Sequence, residues 1–237
     1  MDILEHYITK LEDLLNDPGN KNIKVIKLVD EILQSNETIY NEEIDNLLRD
    51  FALDIDYYEA NPKARAEFKG YFGDEQLIKE IEPVLKKLKE FNKMDEFIKA
   101  AIEEARQGLK EGGIPIGSVL VKDGVIIGRG HNKRVQNNDP IRHAEIDCLM
   151  NAGRVGSYKG TVLYSTLMPC HLCTGAVIQF NIKKVVAGES KTFQGARELL
   201  ESKGVEVIDL NLPECIEMME DFIKKNPELW NEDIGEL

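Results

Sequence analysis

The sequence predicts a three-layer α/β/α domain with a mixed sheet of five strands, preceded by a small all-α domain. Residues 1–92 carry helical patterns separated by turn signals. Residues 93–237 begin with a helix and a hairpin, and then strands alternate with helices, which is typical of a sheet covered on both faces. A chain of 237 residues, 42% of them apolar, is long enough to form both domains.

Four helices are predicted in the amino-terminal domain, because apolar residues recur there at helical spacing. These helices cover residues 4–15, 23–33, 42–58 and 75–91. The sequence DPGN at 17–20 indicates a turn, and residues 60–76 are expected to form a loop-rich connector. Pro83 is expected to bend or shorten the fourth helix, since proline removes a helical hydrogen bond.

The amino-terminal domain is also the more acidic part of a chain whose net charge is −13. A charged helical surface is usually just solvated, but a small acidic bundle could also bind a partner protein. The phrases YYEANPKARAE and GYFGDEQLIKEI resemble those of small helical immunity-type proteins of bacteria. An immunity-like binding module fused to a second domain is therefore the alternative from a different functional class, with residues 1–92 holding the protein partner.

The carboxy-terminal domain begins with an amphipathic helix over 94–109 that ends before Gly112 and Gly113. Asp123 and Gly124 strongly indicate a hairpin between two strands within 114–132. The remaining strands are predicted at 161–167, 183–190 and 205–211. The remaining helices are predicted at 143–153, 170–181, 193–204 and 213–225.

Two short stretches, HAEIDC at 143–148 and MPCHLC at 168–173, hold two of the four histidines and three of the four cysteines. The spacing of Cys170 and Cys173 places both thiols on one face at the start of a helix, where thiolates are favoured. With His143 they supply three ligands for Zn²⁺, which leaves one position for water, as in catalytic zinc sites. Glu145 points away from His143 and is predicted to transfer protons as a general base and then acid.

Other interpretations of these residues exist. A redox pair of cysteines would leave the His-x-Glu pattern unexplained. A structural zinc site would need a fourth ligand, for which His171 is the candidate, although adjacent helical residues point about 100° apart. Cys148 and Cys215 lie in apolar helical patterns and are predicted to be buried structural cysteines.

A His-x-Glu followed by Pro-Cys-x-x-Cys is the signature of zinc deaminases. The chain resembles the cytidine and deoxycytidylate deaminase superfamily, and residues 94–237 resemble the free-base cytosine deaminases of the fungal type. The resemblance extends to EGGIPIG, GRGHN, STLMPCHLCTGA and PELWNEDIGE, over about 60% of the chain. It implies a cytidine-deaminase-like fold, zinc as cofactor, a homodimer, and hydrolysis of cytosine to uracil and ammonia in pyrimidine salvage.

The resemblance also implies two sets of site residues. The metal and proton-transfer set consists of His143, Glu145, Cys170 and Cys173. The set around a pyrimidine base consists of Asn132 and Asp233 at its polar edge, Phe193 and Trp230 over the ring, and Ile116, Leu167 and Ala144 along its sides. The alternative for Trp230 is packing against the core.

Two positions depart from the fungal pattern, and they bear on the substrate. Ala144 stands where the fungal enzymes have glycine, and Met168 where they have a small hydroxyl residue. Deamination of guanine, cytidine or adenosine in tRNA is therefore the alternative activity.

The acidic charge of the chain disfavours binding to nucleic acids and membranes. No apolar run indicates a membrane span and no basic leader indicates secretion, so a cytoplasmic protein is expected.

Overall fold

The structure, a computed structural model, describes residues 3–16, 19–35, 42–67 and 69–236. The chain divides into two compact units, Met1–Met94 and Asp95–Leu237. We refer to the first as the helical unit and to the second as the α/β unit.

The helical unit contains helices α1 to α4 and the first part of α5. Their bounds are Ile3–Asn16, Lys21–Gln34, Glu42–Ile55, Pro62–Glu67 and Asp74–Lys110. One apolar core joins these helices, and its fully buried residues include Leu4, Leu28, Ile32, Leu48, Ile81 and Leu88. Helices are thus present where the first three were predicted, although α3 ends three residues early. Residues 17 and 18 of the predicted turn lie outside the described residues.

Two expectations for the later part of this unit are wrong. The connector predicted as loop-rich contains helix α4, which begins after Asn61, whose Oδ1 accepts a hydrogen bond of 2.9 Å from the backbone N–H of Lys63. Asparagine before a helix and proline at its first position both favour helix initiation. The two helices predicted at 75–91 and 94–109 form the single helix α5, which continues through Pro83. No glycine or proline separates the two segments, so the helix does not end there.

The α/β unit is built on one mixed sheet of five strands, as predicted. The strands β1 to β5 cover Gly117–Lys122, Val125–His131, Thr161–Ser165, Lys184–Ala187 and Glu206–Asp209. Their order is β2-β1-β3-β4-β5; β1 is antiparallel to both neighbours, whereas β3, β4 and β5 are parallel. Asp123 and Gly124 both have positive φ, 50° and 76°, in the predicted hairpin turn.

Helices α6 to α11 complete this unit. Their bounds are Arg134–Asn137, Ala144–Ala152, His171–Gln179, Arg197–Ser202, Pro213–Lys225 and Pro227–Ile234. Helices α6 and α11 were not predicted. The signals for α11 were present, because it has proline at its first position and is followed by Gly235 at a φ of 75°. Cys148 and Cys215 are fully buried, as expected.

Helices cover both faces of the sheet. On one face, α7, α8 and α9 contribute to a core that includes Leu120, Leu163 and Val185 of the strands. The side chain of Tyr164 points to the opposite face, since neighbouring strand residues alternate, and there its ring lies 5.3 Å from that of Phe97 on α5. Helix α10 also lies on this second face, because a Cβ at Gly188 would lie 2.7 Å from Sγ of Cys215. The predicted three-layer arrangement is therefore confirmed.

Two glycines let helices approach the sheet closely. A Cβ at Gly117 would lie 2.0 Å from the carbonyl oxygen of Ala101 on α5, and one at Gly130 would lie 2.3 Å from the backbone nitrogen of Cys148 on α7. Such distances exclude any side chain at either position. Helix α7, whose first turn carries the candidate site, is held directly against β2 as a result. Within the described ranges, no helix is both long and apolar enough to cross a membrane.

Candidate active site

The starts of helices α7 and α8 bring the His and Cys motifs together. His143 and Cys170 are the residues immediately before these helices, and both have extended backbones, with ψ of 166° and 176°. Their side chains meet, since Sγ of Cys170 lies 3.5 Å from Nδ1 of His143. Cys173, one turn into α8, is fully buried behind them.

His143, Cys170 and Cys173 fit a single metal ion. Their ligand atoms all lie within 4.8 Å of one another, and no other group of three or more potential ligands was found among the described residues. One imidazole and two thiols are ligands that Zn²⁺ prefers, and three protein ligands are typical of a catalytic rather than a structural site. His171 is exposed and lies outside this group, so the geometry does not favour it as a fourth ligand.

The acid–base properties of this group also favour a cation. A hydrogen bond from Cys173 lowers the pKa of Cys170 to about 4, and the same bond, together with burial, raises the pKa of Cys173. A divalent cation bound by both sulfurs would favour the thiolate form of both. Burial alone lowers the pKa of His143, but its hydrogen bond with Cys170 and the charge of Asp233 raise it further than burial lowers it.

Glu145 lies beside the metal-ligand group and is only 4% exposed. Its Oε1 accepts a hydrogen bond of 3.2 Å from Oγ of Ser165, at the end of β3, and its Oε2 lies 3.2 Å from Sγ of Cys173. Burial raises the pKa of this carboxyl group, which therefore takes up a proton more readily than an exposed glutamate. That property suits a group that must accept and release a proton near neutral pH.

A small cavity lies next to these side chains, and most of the predicted site residues line it. Its lining consists of Ile116, His143, Glu145, Leu167, Met168, Cys170, Phe193, Trp230, Asp233 and Ile234. The rings of Phe193 and Trp230 meet edge to face, with centroids 5.7 Å apart. Trp230 also belongs to an apolar cluster with Ile116 and Leu167, so it both lines the cavity and packs against the core.

The polar end of the cavity is formed by Asp233. Its Oδ1 accepts a hydrogen bond of 2.8 Å from Nη1 of Arg134 and lies 3.4 Å from Nδ2 of Asn132 and 3.9 Å from Nε2 of His143. Asn132 is fully buried and does not line the cavity itself, but its Nδ2 is hydrogen-bonded to the lining residue Asp233. Ala144, also fully buried, lies between two lining residues in the sequence.

Arg134, Ser165 and Ile234 belong to the site but were not predicted. Arg134 pairs with a carboxylate 99 positions away in the sequence, and Ser165 donates to one 20 positions away. Neither partnership leaves a local pattern, so no sequence signal identified these residues. Ile234 follows Asp233 in the tail phrase PELWNEDIGE, and helical spacing from Trp230 could have placed it on the same side of α11.

The sequence of the α/β unit is similar to those of known proteins. Residues 91–189 match the sequence profile of the cytidine and deoxycytidylate deaminase zinc-binding region. A cytosine deaminase of Candida albicans is 46% identical over 142 residues, which are 59% of this chain and 95% of that protein. The chain belongs to the cytidine and deoxycytidylate deaminase family. The matched residues include His143, Cys170 and Cys173, so the site that suits zinc in the structure coincides with the zinc-binding region of the family.

Other members of the deaminase family are more distant. A tRNA-specific adenosine deaminase of Streptococcus pyogenes serotype M18 is 35% identical over 144 residues, which are 56% of this chain and 91% of that protein. A solved structure from a study of A-to-I editing by tRNA:A34 deaminases is 29% identical, with a TM-score of 0.47, and the match covers 52% of this chain and 99% of that one.

Proposed function

We propose that the α/β unit catalyses the hydrolytic deamination of cytosine to uracil and ammonia. The observation that carries this proposal is the position of Glu145, a buried carboxyl group that lies beside three side chains suited to zinc and lines the same small cavity as two of them, His143 and Cys170. The choice of cytosine rests on the Candida albicans relative. That protein is a cytosine deaminase, and the match covers 95% of its length.

In this proposal His143, Cys170 and Cys173 hold the zinc ion. When bound, zinc supplies a Lewis acid that lowers the pKa of a water molecule toward neutrality. Glu145 takes a proton from the water and gives it to ring nitrogen N3, while the water oxygen adds at C4. Glu145 then takes the second proton and protonates the departing amine, so that cytosine and water become uracil and ammonia. Ser165 orients the carboxylate through its hydrogen bond.

The base would be held by residues that line the cavity and by Asn132 and Ala144, which lie next to lining residues. The side-chain amide of Asn132 can both donate and accept hydrogen bonds, which suits the mixed polar edge of cytosine. Asp233, oriented by Arg134, would accept a hydrogen bond from the amine region. Phe193 and Trp230 would cover the ring, and apolar contacts would come from Ile116, Leu167, Met168 and Ala144.

A panel of bases and nucleosides assayed for ammonia release tests this proposal. We expect turnover of cytosine and much slower release from guanine, cytidine and the adenosine of a tRNA anticodon loop. The tRNA reaction is the second candidate, because of the 35% identity to a tRNA-specific adenosine deaminase. The net charge of −13 disfavours it, since RNA phosphates favour lysine and arginine. Preferential release from guanine or from the tRNA would contradict the proposed substrate.

We also propose that the reaction serves pyrimidine salvage in the cytoplasm. All four cysteines are free, which suits a reducing compartment. The proposed substrate and product are small and diffusible, so neither a nucleic acid nor a membrane is needed as a partner.

The proposed active form is a homodimer. Met150 on α7 and Leu172 and Phe180 at the two ends of α8 are large apolar side chains that are exposed on the same layer of the α/β unit. Burial of such side chains between two copies would stabilise a dimer. Light scattering at micromolar concentration should therefore give the mass of two chains, and Leu172→Glu combined with Phe180→Glu should give that of one. A monomeric wild-type protein would contradict the proposed assembly.

We propose further that the two units, which we predict to be an acidic helical domain over 1–92 and a deaminase domain over 93–237, fold independently. A truncated chain that begins at Lys93 retains every cavity residue and the helical turns of 94–110 that pack on the sheet. We expect it to remain soluble, bind zinc and deaminate cytosine at an unchanged rate. A soluble, zinc-loaded but inactive truncation would contradict this, because catalysis would then depend on residues 1–92. A protein partner for residues 1–92 stays a proposal, which their acidic composition supports.

A further inference from the structure

A second carboxylate of helix α7 is completely buried, although it does not line the cavity. Asp147 lies one turn after His143, and its side chain has no exposed surface. Its two oxygens are surrounded by hydrogen-bond donors. These are Arg142 Nε at 2.8 Å from Oδ1, and Lys133 Nζ at 3.0 Å, the backbone N–H of His131 at 3.3 Å and Asn151 Nδ2 at 3.4 Å from Oδ2.

The carboxylate of Asp147 is more deeply buried than the two cationic side chains that pair with it. Burial of a carboxylate is costly unless its charge and its lone pairs are satisfied. The carboxylate of Asp147 is fully enclosed, whereas the side chains of Lys133 and Arg142 remain about a quarter exposed. The carboxylate of Asp147 is therefore the buried member of both ion pairs. Through these pairs, the chain segments that contain Lys133 and Arg142 are linked to helix α7.

Each of these segments carries a side chain of the proposed active site. Lys133 directly follows Asn132, the proposed base-binding amide, and Arg142 directly precedes His143, a proposed zinc ligand. The same two segments are joined by a backbone hydrogen bond of 2.9 Å from the N–H of Lys133 to the carbonyl oxygen of Arg142. A single carboxylate thus ties the base-binding segment and the metal-binding segment to helix α7.

We propose that Asp147 is a positioning residue, which fixes Asn132 through Lys133 and His143 through Arg142. This inference rests on the proposed function, since it concerns the base and the zinc that the function requires. Asp147 itself contacts neither. Its effect is on the relative placement of the amide and the imidazole, where displacements of about 1 Å can reduce turnover by about 10²-fold.

The side chains of Lys133 and Arg142, which we call the two cationic arms, can be replaced one at a time to test the proposal. Lys133→Met removes the arm next to Asn132, so we expect KM for cytosine to rise by about tenfold while zinc affinity stays unchanged. Arg142→Met removes the arm next to His143, so we expect zinc affinity to fall by about tenfold, at the lower end of the effect of outer-shell partners of metal ligands. Asp147→Asn should show both effects, because the amide places an N–H₂ group among donors.

Three measurements on the full chain decide the outcome: zinc affinity by competition with a chelator, KM and kcat of the zinc-saturated protein, and the midpoint of thermal unfolding. Asp95→Asn is the matched control, since Asp95 is a buried carboxylate of α5 that pairs with Lys99 at 2.6 Å, away from the cavity. Asp95→Asn should lower the midpoint of thermal unfolding and leave zinc affinity, KM and kcat unchanged. Lys133→Arg, which keeps the cation, should restore the wild-type KM.

The proposal is overturned if Asp147→Asn changes only the unfolding midpoint, as the control does, or if Lys133→Met and Arg142→Met do not separate the two effects. The two methionine variants decide the outcome if Asp147→Asn does not fold. Failure of the proposed function is distinguishable, because the wild-type protein would then release no ammonia from cytosine, whereas the zinc-affinity measurements would still report on the arm that holds His143.

Discussion

Replacement of Glu145 with glutamine should reduce deamination of cytosine by about 10²–10⁴-fold or more, the range that general acid–base catalysis contributes. Glutamine is nearly the same size and can still accept the hydrogen bond from Ser165. It cannot accept and return a proton at neutral pH, so the transfer from water to the base is lost. Ammonia release is the measurement, and metal analysis and circular dichroism should show that zinc content and fold are unchanged.

Ser165→Ala is the control for this substitution. It removes the hydrogen bond that orients Glu145 but leaves its carboxyl group, so a smaller loss of turnover is expected. A Glu145→Gln protein that retained nearly full activity would rule out the proton-transfer role, whatever the metal content.

Replacement of Cys173 with alanine should remove most of the zinc, and with it the activity. We expect one zinc ion per wild-type chain, held by three side chains whose ligand atoms lie within 4.8 Å of one another. Loss of one thiolate leaves two ligands, which is too few for a stable protein zinc site. Metal analysis of the purified, dialysed protein is the measurement.

Two controls make the zinc prediction specific. Cys215→Ala removes a cysteine that is equally buried but lies on α10, outside the metal-ligand group, and His171→Ala removes the exposed histidine between the two cysteines of the motif. Both variants should keep their zinc. Full zinc retention in Cys173→Ala together with loss in His171→Ala would replace the three-ligand assignment with one that includes His171.

Local patterns were sufficient for most of the fold. Asp123 and Gly124 predict the hairpin because few other residues accept positive φ, and both have it. The failures have local causes as well. Helix α5 is one helix because the residues around Lys93 include no helix breaker, and periodicity alone cannot mark where one structural unit ends and the next begins. Helix α11 was not predicted, although Pro227 and Gly235 mark both of its ends.

The site divides in the same way. The proposed metal ligands and Glu145 form compact motifs in the sequence, and the structure brings their side chains together. Arg134, Ser165 and Asp147 could not be predicted, because each forms its hydrogen bonds with partners elsewhere in the fold and leaves no spacing to recognise. Asp147 had the appearance of an ordinary polar residue in a helix, and only its complete burial among donors distinguishes it.

The buried position of Trp230 has a consequence for measurement. It is the only tryptophan of the chain, and it lies in the α/β unit with its indole against Phe193 and the cavity. Tryptophan emission therefore reports on the α/β unit alone, whereas far-ultraviolet circular dichroism reports on the helices of both units. In a denaturant titration, coincident transitions from the two signals would indicate a single cooperative unfolding event, and separate transitions would assign a stability to each unit.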